Sequence, residues 1–166
     1  MGIQRKSAVA IGAATLFGVG AVGGMALADG DSTTLRARLS GANEVPVADP
    51  DGSGRGRVEV SVDDGMVCFD VRFDDTGTPH RGHIHVGAAG VNGGIVVTLF
   101  ELGAAQNPAG PADPANDKLE SRERLDNCVA ADPAVLAQIE ANPGNYYVNL
   151  HNARFPGGAI RGQLDD

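Results

Sequence analysis

All four histidines of the chain fall in two short stretches, with His80, His83 and His85 in the first and His151 in the second. If residues 83–86 form a strand, side-chain alternation puts His83 and His85 on one face, side by side. A second strand ending at His151 and lying against the first would close a cluster of three imidazoles. Neutral imidazoles converging in this way suit Zn²⁺ or Cu²⁺, with His80 or Asp70 as candidates for a fourth position. The competing expectation is a structural hydrogen-bond network. His, Asn and Arg at the ends of a sheet pair with carbonyls and loops, and His80, Asn149 and Arg161 are its natural members beside the cluster. Such a network fixes register without any ligand, and the sequence alone favours it.

The elements that must position these residues read as strands. Residues 35–39 alternate and end at Ser40-Gly41, and residues 43–46 look extended but stop at Pro46, as at a sheet edge. Val58, Val60 and Val62 alternate with Glu59 and Ser61. Asp64-Gly65 then supplies a turn, and Val67, Phe69, Val71 and Phe73 return on the same face. Cys68 is thereby placed on the opposite face, where it can tie down a loop crossing the outside of the sheet. Residues 83–100 and 146–164 repeat one pattern: a His-bearing strand, a hairpin through Gly93-Gly94 or Gly157-Gly158, and an apolar strand. Between them, residues 101–131 read as a polar insertion containing Pro108, Pro111 and Pro114. A short helix follows, with Asp132 as cap, Pro133 as first residue and Val135, Leu136 and Ile139 on one face, ending at Asn142-Pro143-Gly144. Seven or eight strands and one short helix near the C-terminal hairpin predict an all-β sandwich or barrel.

The N-terminus points to export. Arg5 and Lys6 precede an apolar run over residues 8–27 that ends in Ala26-Leu27-Ala28. Residues 1–28 therefore read as a secretory signal peptide cut after Ala28, or as an uncleaved N-terminal anchor that would be the only membrane contact. Residues 29–166 form one domain. Loss of the leader leaves 11 basic residues against 21 acidic ones, a net charge of −10 in place of −8. That balance argues against nucleic acid and anionic membranes as partners. Cys68 and Cys128, the only two cysteines, lie in the exported part and read as one disulfide. Two thiolate metal ligands would want a Cys-x-x-Cys spacing that is missing.

Other chemistries fail sooner. No Gly-x-Ser-x-Gly elbow is present, and no pair of carboxylates stands out for glycoside hydrolysis. Asp49, Asp51, Ser53 and Gly54 imitate the start of an EF-hand loop, but Val60 stands where the bidentate Glu belongs. With no Trp and only Tyr146 and Tyr147, an aromatic sugar platform is not expected, and no N-glycosylation sequon occurs.

Three ordered motifs carry a family resemblance: Leu39-Ser40-Gly41-Ala42-Asn43-Glu44-Val45-Pro46; Gly82-His83-Ile84-His85-Val86-Gly87 with Asn92-Gly93; and Tyr147-Val148-Asn149-Leu150-His151 with Pro156-Gly157-Gly158 and Ile160-Arg161-Gly162-Gln163-Leu164. Together they resemble the CHRD domain, named for its repeats in chordin, over about residues 35–164. The resemblance implies an immunoglobulin-like β-sandwich in an exported single-domain protein. It implies no activity, and the growth-factor antagonism of the animal namesake, owed largely to other modules, is not carried over. His83-Ile84-His85 in a Greek-key sandwich also resembles the copper ligands of copper-zinc superoxide dismutases. The late Arg161 is a loose parallel to that enzyme's anion-guiding arginine, whereas its bridging histidine and zinc aspartate find no counterpart. The expected function is a non-enzymatic binding or structural module for an extracellular protein or surface ligand. The alternative is a copper or zinc protein with dismutase-like chemistry, and a third reading has residues 101–127 engaging a protein partner.

Overall fold

The structure is a computed structural model that describes residues 31–102 and 123–166. Residues 1–30, which contain the expected leader, and residues 103–122 of the insertion lie outside the described residues. The chain forms eight strands: β1 (Ser32–Ser40), β2 (Ser53–Ser61), β3 (Met66–Asp74), β4 (Arg81–Val86), β5 (Ile95–Glu101), β6 (Glu123–Ala130), β7 (Tyr146–His151) and β8 (Ile160–Asp165). Every pairing is antiparallel, and the order across the sheet is β5-β4-β7-β8-β1-β2-β3-β6. The all-β expectation holds. The immunoglobulin-like sandwich has two separately bonded sheets, whereas here pairing runs unbroken through all eight strands, because Arg36, Ala37 and Ser40 of β1 pair with β8. The sheet curls until β5 comes against β6, and Phe69 of β3 stacks on Phe100 of β5 with ring centroids 6.0 Å apart.

Alternation fills the concave side. Leu35, Val58, Val60, Val67, Val71, Ile84, Val148, Leu150, Ile160 and Leu164 are all buried there. The α-helix α1 (Pro133–Ala141) adds Leu136 and Ile139 to this core, with Val135 partly buried beside them. It starts where the sequence predicts, with the Asp132 carboxylate accepting from the Ala134 N–H at 2.8 Å. Gly65, at φ 62°, makes the β2–β3 turn in a conformation that costs a glycine nothing.

Three sequence expectations need correction. Residues 123–130, read as the end of a loop, form β6. Their apolar positions are too sparse to reveal a strand, yet each residue from Glu123 to Ala130 finds a partner on β3. Cys68 faces outward as expected, but the 2.02 Å disulfide joins it to Cys128 directly opposite on β6, a cross-strand link in place of a loop tie. Residues 43–46 are not an edge strand: a 3₁₀ turn (Gly41–Asn43) precedes them, and the Glu44 side chain turns inward and is buried. In the loop that imitates an EF-hand, Asp49 is also buried, its carboxylate accepting from the Gly52 N–H and the Thr76 hydroxyl.

Candidate metal centre

The two repeated His-bearing hairpins lie side by side. β4 pairs with β7, so that Arg81 faces His151, His83 faces Asn149 and His85 faces Tyr147. β7 pairs in turn with β8, bringing Asn149 to Arg161 and Tyr147 to Gln163. Since Ile84, Val148, Leu150 and Ile160 point into the core, alternation sends this polar set to the other face. It is nevertheless buried: His83, His85, His151, Asn149 and Arg161 are each less than a tenth exposed. Surrounding loops cover it, and the polar side chains hold those loops down.

His83, His85 and His151 offer ligand atoms that all lie within 4.8 Å of one another. The outer nitrogens of two rings are already committed. His85 Nδ1 is 3.0 Å from the Gly93 carbonyl and His151 Nδ1 is 3.1 Å from the Pro156 carbonyl. A carbonyl only accepts, so both Nδ1 atoms carry the proton and both Nε2 atoms present a bare lone pair. His85 Nε2 is buried and has no hydrogen-bond partner. His151 Nε2 lies 3.1 Å from His83 Nδ1, close to the separation of about 3.3 Å for two nitrogens at tetrahedral corners around one zinc ion. His83 Nε2, on the far side of its ring, is 3.8 Å from Glu101 Oε1. If His83 ligates through Nδ1, its proton moves to Nε2, where Glu101 faces it, so each of the three imidazoles has an oxygen behind it to fix ring and tautomer.

Burial, the main cause, lowers the affinity of all three rings for a second proton. His151 is held at about 4, with the neighbouring His83 adding to the effect. His83 is lowered by burial and then by His85, and His85 by burial. Neutral, unprotonated rings are the form a metal ion requires.

The other predicted residues divide. Asp70 is excluded from the cluster, because it sits on β3 with Arg124 Nε 2.9 Å from its carboxylate. His80 is not in the cluster either, yet its backbone N–H donates to the His151 carbonyl at 2.9 Å and so steadies the end of β7. Arg161 is the centre of the predicted network. It donates through Nε to the Asn43 carbonyl (2.5 Å) and through Nη1 to Asn92 Oδ1 (2.9 Å) and the Val91 carbonyl (3.3 Å). Its guanidinium lies 4.8 Å over the Tyr147 ring, whose other neighbour is His85, stacked at 5.0 Å and 7°. Tyr147 completes the link by accepting from the Gly93 N–H through its hydroxyl. The histidine cluster and the hydrogen-bond network, weighed as alternatives in the sequence, are parts of one assembly.

Sequence reasoning gave no role to Glu44, Tyr147, Gln163 or Glu101. Tyr147 and Gln163 were findable, since the period of two that selects Asn149 and Arg161 also selects them. Glu44 was not, because its inward turn depends on the 3₁₀ turn. The Glu44 carboxylate lies 3.9 Å from Arg161 Nε, and burial pushes its pKa up to about 7 against the opposing pull of Arg161. Gly158, at φ 140°, packs on this group, and a Cβ there would come within 2.8 Å of Glu44 Oε1 and Asn149 Nδ2.

The raised Glu44 pKa makes a pH prediction. Folding binds a proton that the unfolded carboxyl, with a pKa near 4.5, gives up. The stabilisation is therefore complete below pH 4.5 and lost as pH rises through 7, a change on the order of 3 kcal/mol. The histidines act in the opposite sense, favouring the fold above about 6.5 and losing this as pH falls. Denaturant unfolding of the parent minus that of Glu44→Gln isolates the carboxyl. The difference is expected to shrink steadily between pH 4.5 and 7.5, and a flat difference would remove Glu44 from the titration.

Fold and site together define a class: a curled antiparallel sheet with a buried histidine triad beneath the loops at one end. Residues 35–164 match the CHRD domain model, and the chain belongs to the CHRD domain family. No curated protein and no solved structure matches it.

Proposed function

We propose that this chain is an exported metal-binding module that holds one Cu²⁺ or Zn²⁺ ion on His83, His85 and His151. The observation that carries the reading is the bare, buried His85 Nε2, unpartnered beside two more imidazoles whose ring nitrogens converge with it. A network built only for architecture would be expected to give that nitrogen a donor. An all-imidazole set suits Cu²⁺ and Zn²⁺ better than softer ions, and the Irving–Williams order puts Cu²⁺ first. Three protein ligands leave a fourth position for water or an outside ligand. The basic and apolar leader supports export. We read the two four-strand halves of the sheet as the layers of an immunoglobulin-like sandwich joined where β8 meets β1.

The test is elemental analysis and metal titration of the mature protein, prepared without a His tag, beside a His83→Ala/His85→Ala variant. The parent is expected to bind one equivalent of Cu²⁺, and more weakly Zn²⁺, and to melt at higher temperature when loaded. The variant is expected to bind none at that site. Failure of the parent to bind either ion would leave the cluster as architecture.

A further inference from the structure

The convex face of the other half of the sheet carries a second arrangement. Register places Arg38 of β1 opposite Arg55 of β2, Arg55 opposite Arg72 of β3, and Arg72 opposite Arg124 of β6. Four arginines thus form a row across four adjacent strands, spanning about 14 Å at the backbone. Arg36 and Arg57, themselves cross-strand partners, stand in the next row. All six are exposed. Asp70 and Asp126 hold Arg124 and Glu59 meets Arg57 at 3.6 Å, while at the other end Asp165 of β8 stands opposite Arg36. Among the described residues, no acidic side chain comes within ion-pair distance of Arg36, Arg38, Arg55 or Arg72, Asp165 being a neighbour of Arg36 by strand register alone.

Like charges placed directly opposite on a sheet repel and destabilise it. Protection of an edge does not explain them, since β1, β2 and β3 are interior strands. Solubility does not either, because the chain already carries a net charge of −8, and concentrating arginine on one face adds repulsion without adding net charge of that sign. A hollow of about 230 Å³ lies among Arg36, Arg55, Arg57 and Arg72 with Asp70 at its side, and a second of about 420 Å³ lies where Arg57 and Arg124 stand beside Glu59, Asp70 and Asp126.

We propose that this face binds an acidic polysaccharide, a linear chain carrying carboxylate or sulfate groups at regular intervals. The guanidinium fork matches both groups, and a row of forks at strand spacing meets a repeating polyanion better than a single charge. The row contains no aromatic side chain on which single-stranded bases would stack. Among the described residues the exposed large apolar side chains, the anchors a membrane surface would need, are Val45, Val47, Val86, Val91 and Ile95, and none lies on β1, β2, β3 or β6.

The experiment measures binding of the whole mature protein to polygalacturonate and dextran sulfate. Neutral dextran, a thymidine oligonucleotide and phosphatidylserine-containing vesicles are the comparisons. Binding to at least one acidic polysaccharide, weakening with salt and absent for neutral dextran, is expected. Arg38→Ser/Arg55→Ser/Arg72→Ser should lower affinity by about ten- to a hundredfold. It should also reduce the log–log salt slope by about three, one per arginine. Because relief of repulsion cannot harm folding, the variant should melt no lower than the parent, which separates lost binding from lost structure. Arg72→Glu alone should also weaken binding. The proposal is overturned if neither acidic polysaccharide binds, if the triple variant binds as the parent does, or if oligonucleotide or vesicles bind more tightly.

Discussion

Replacing Arg161 with alanine is expected to destabilise the fold by about 3–5 kcal/mol at pH 8, the usual cost of leaving a buried charge without its partner. The side chain is 3 % exposed, so water cannot take its place. Three hydrogen bonds to Asn43, Val91 and Asn92 go with it, as does the cover over Tyr147. Glu44 then remains buried with no cation beside it. Its pKa, already about 7, must rise further, because Arg161 is what holds it down. At pH 5 Glu44 is protonated in parent and variant alike, so the variant's loss should fall toward the hydrogen-bond and packing share alone. Guanidinium unfolding at pH 5 and pH 8 checks this. An equal loss at both values would show that Arg161 acts through packing and not through charge.

Removal of the disulfide is the second large effect. Cys68→Ser/Cys128→Ser frees a loop of 60 residues in the unfolded chain, worth about 4 kcal/mol in the chain-entropy account. The loss should be local in character. β6 is bonded to β3 alone, so without the covalent link it is the strand expected to open first, and its amides should exchange hydrogen faster than those of β1 or β8. The histidine cluster sits on β4 and β7, far along the sheet order, and metal titration of the variant should match the parent. If titration fails as well, the two halves of the sheet unfold as one unit.

Much of this molecule is legible in its sequence, for a physical reason. Where one side of a strand meets the core, alternation is forced. The β2–β3 hairpin and the common face of His83 and His85 therefore follow from spacing alone, and the cap at Asp132 follows from its chemistry. β6 is hidden because Arg124, Asp126 and Asn127 face water on an edge strand and only Leu125 and Val129 hint at a core. The pairing of β4 with β7 is hidden for another reason. No local pattern says which strands meet, and the histidine triad depends on that choice, as the arginine row depends on the equally hidden pairing of β3 with β6. Glu44 shows the remaining limit: a charged residue two positions before a proline reads as surface until a partner buried 117 positions later is seen.

The strand order also carries a consequence for how the chain comes together. β7 and β8, the last of this sheet's strands in chain order, lie between β4 and β1. Until residues 146–165 are present, the β4–β5 hairpin and the β1-β2-β3-β6 group share no strand pairing, and the Asn92 side chain donating to the Val45 carbonyl is a contact between loops only. Each presents an open edge, β4 on one side and β1 on the other, where other chains could pair. The β7–β8 hairpin acts as a keystone, and completing the sheet waits on residues 146–165. Such non-local closure is slow and leaves aggregation-prone intermediates. A chain cut short before Tyr146 would lose more than one ligand: it would fall into two unjoined pieces of sheet.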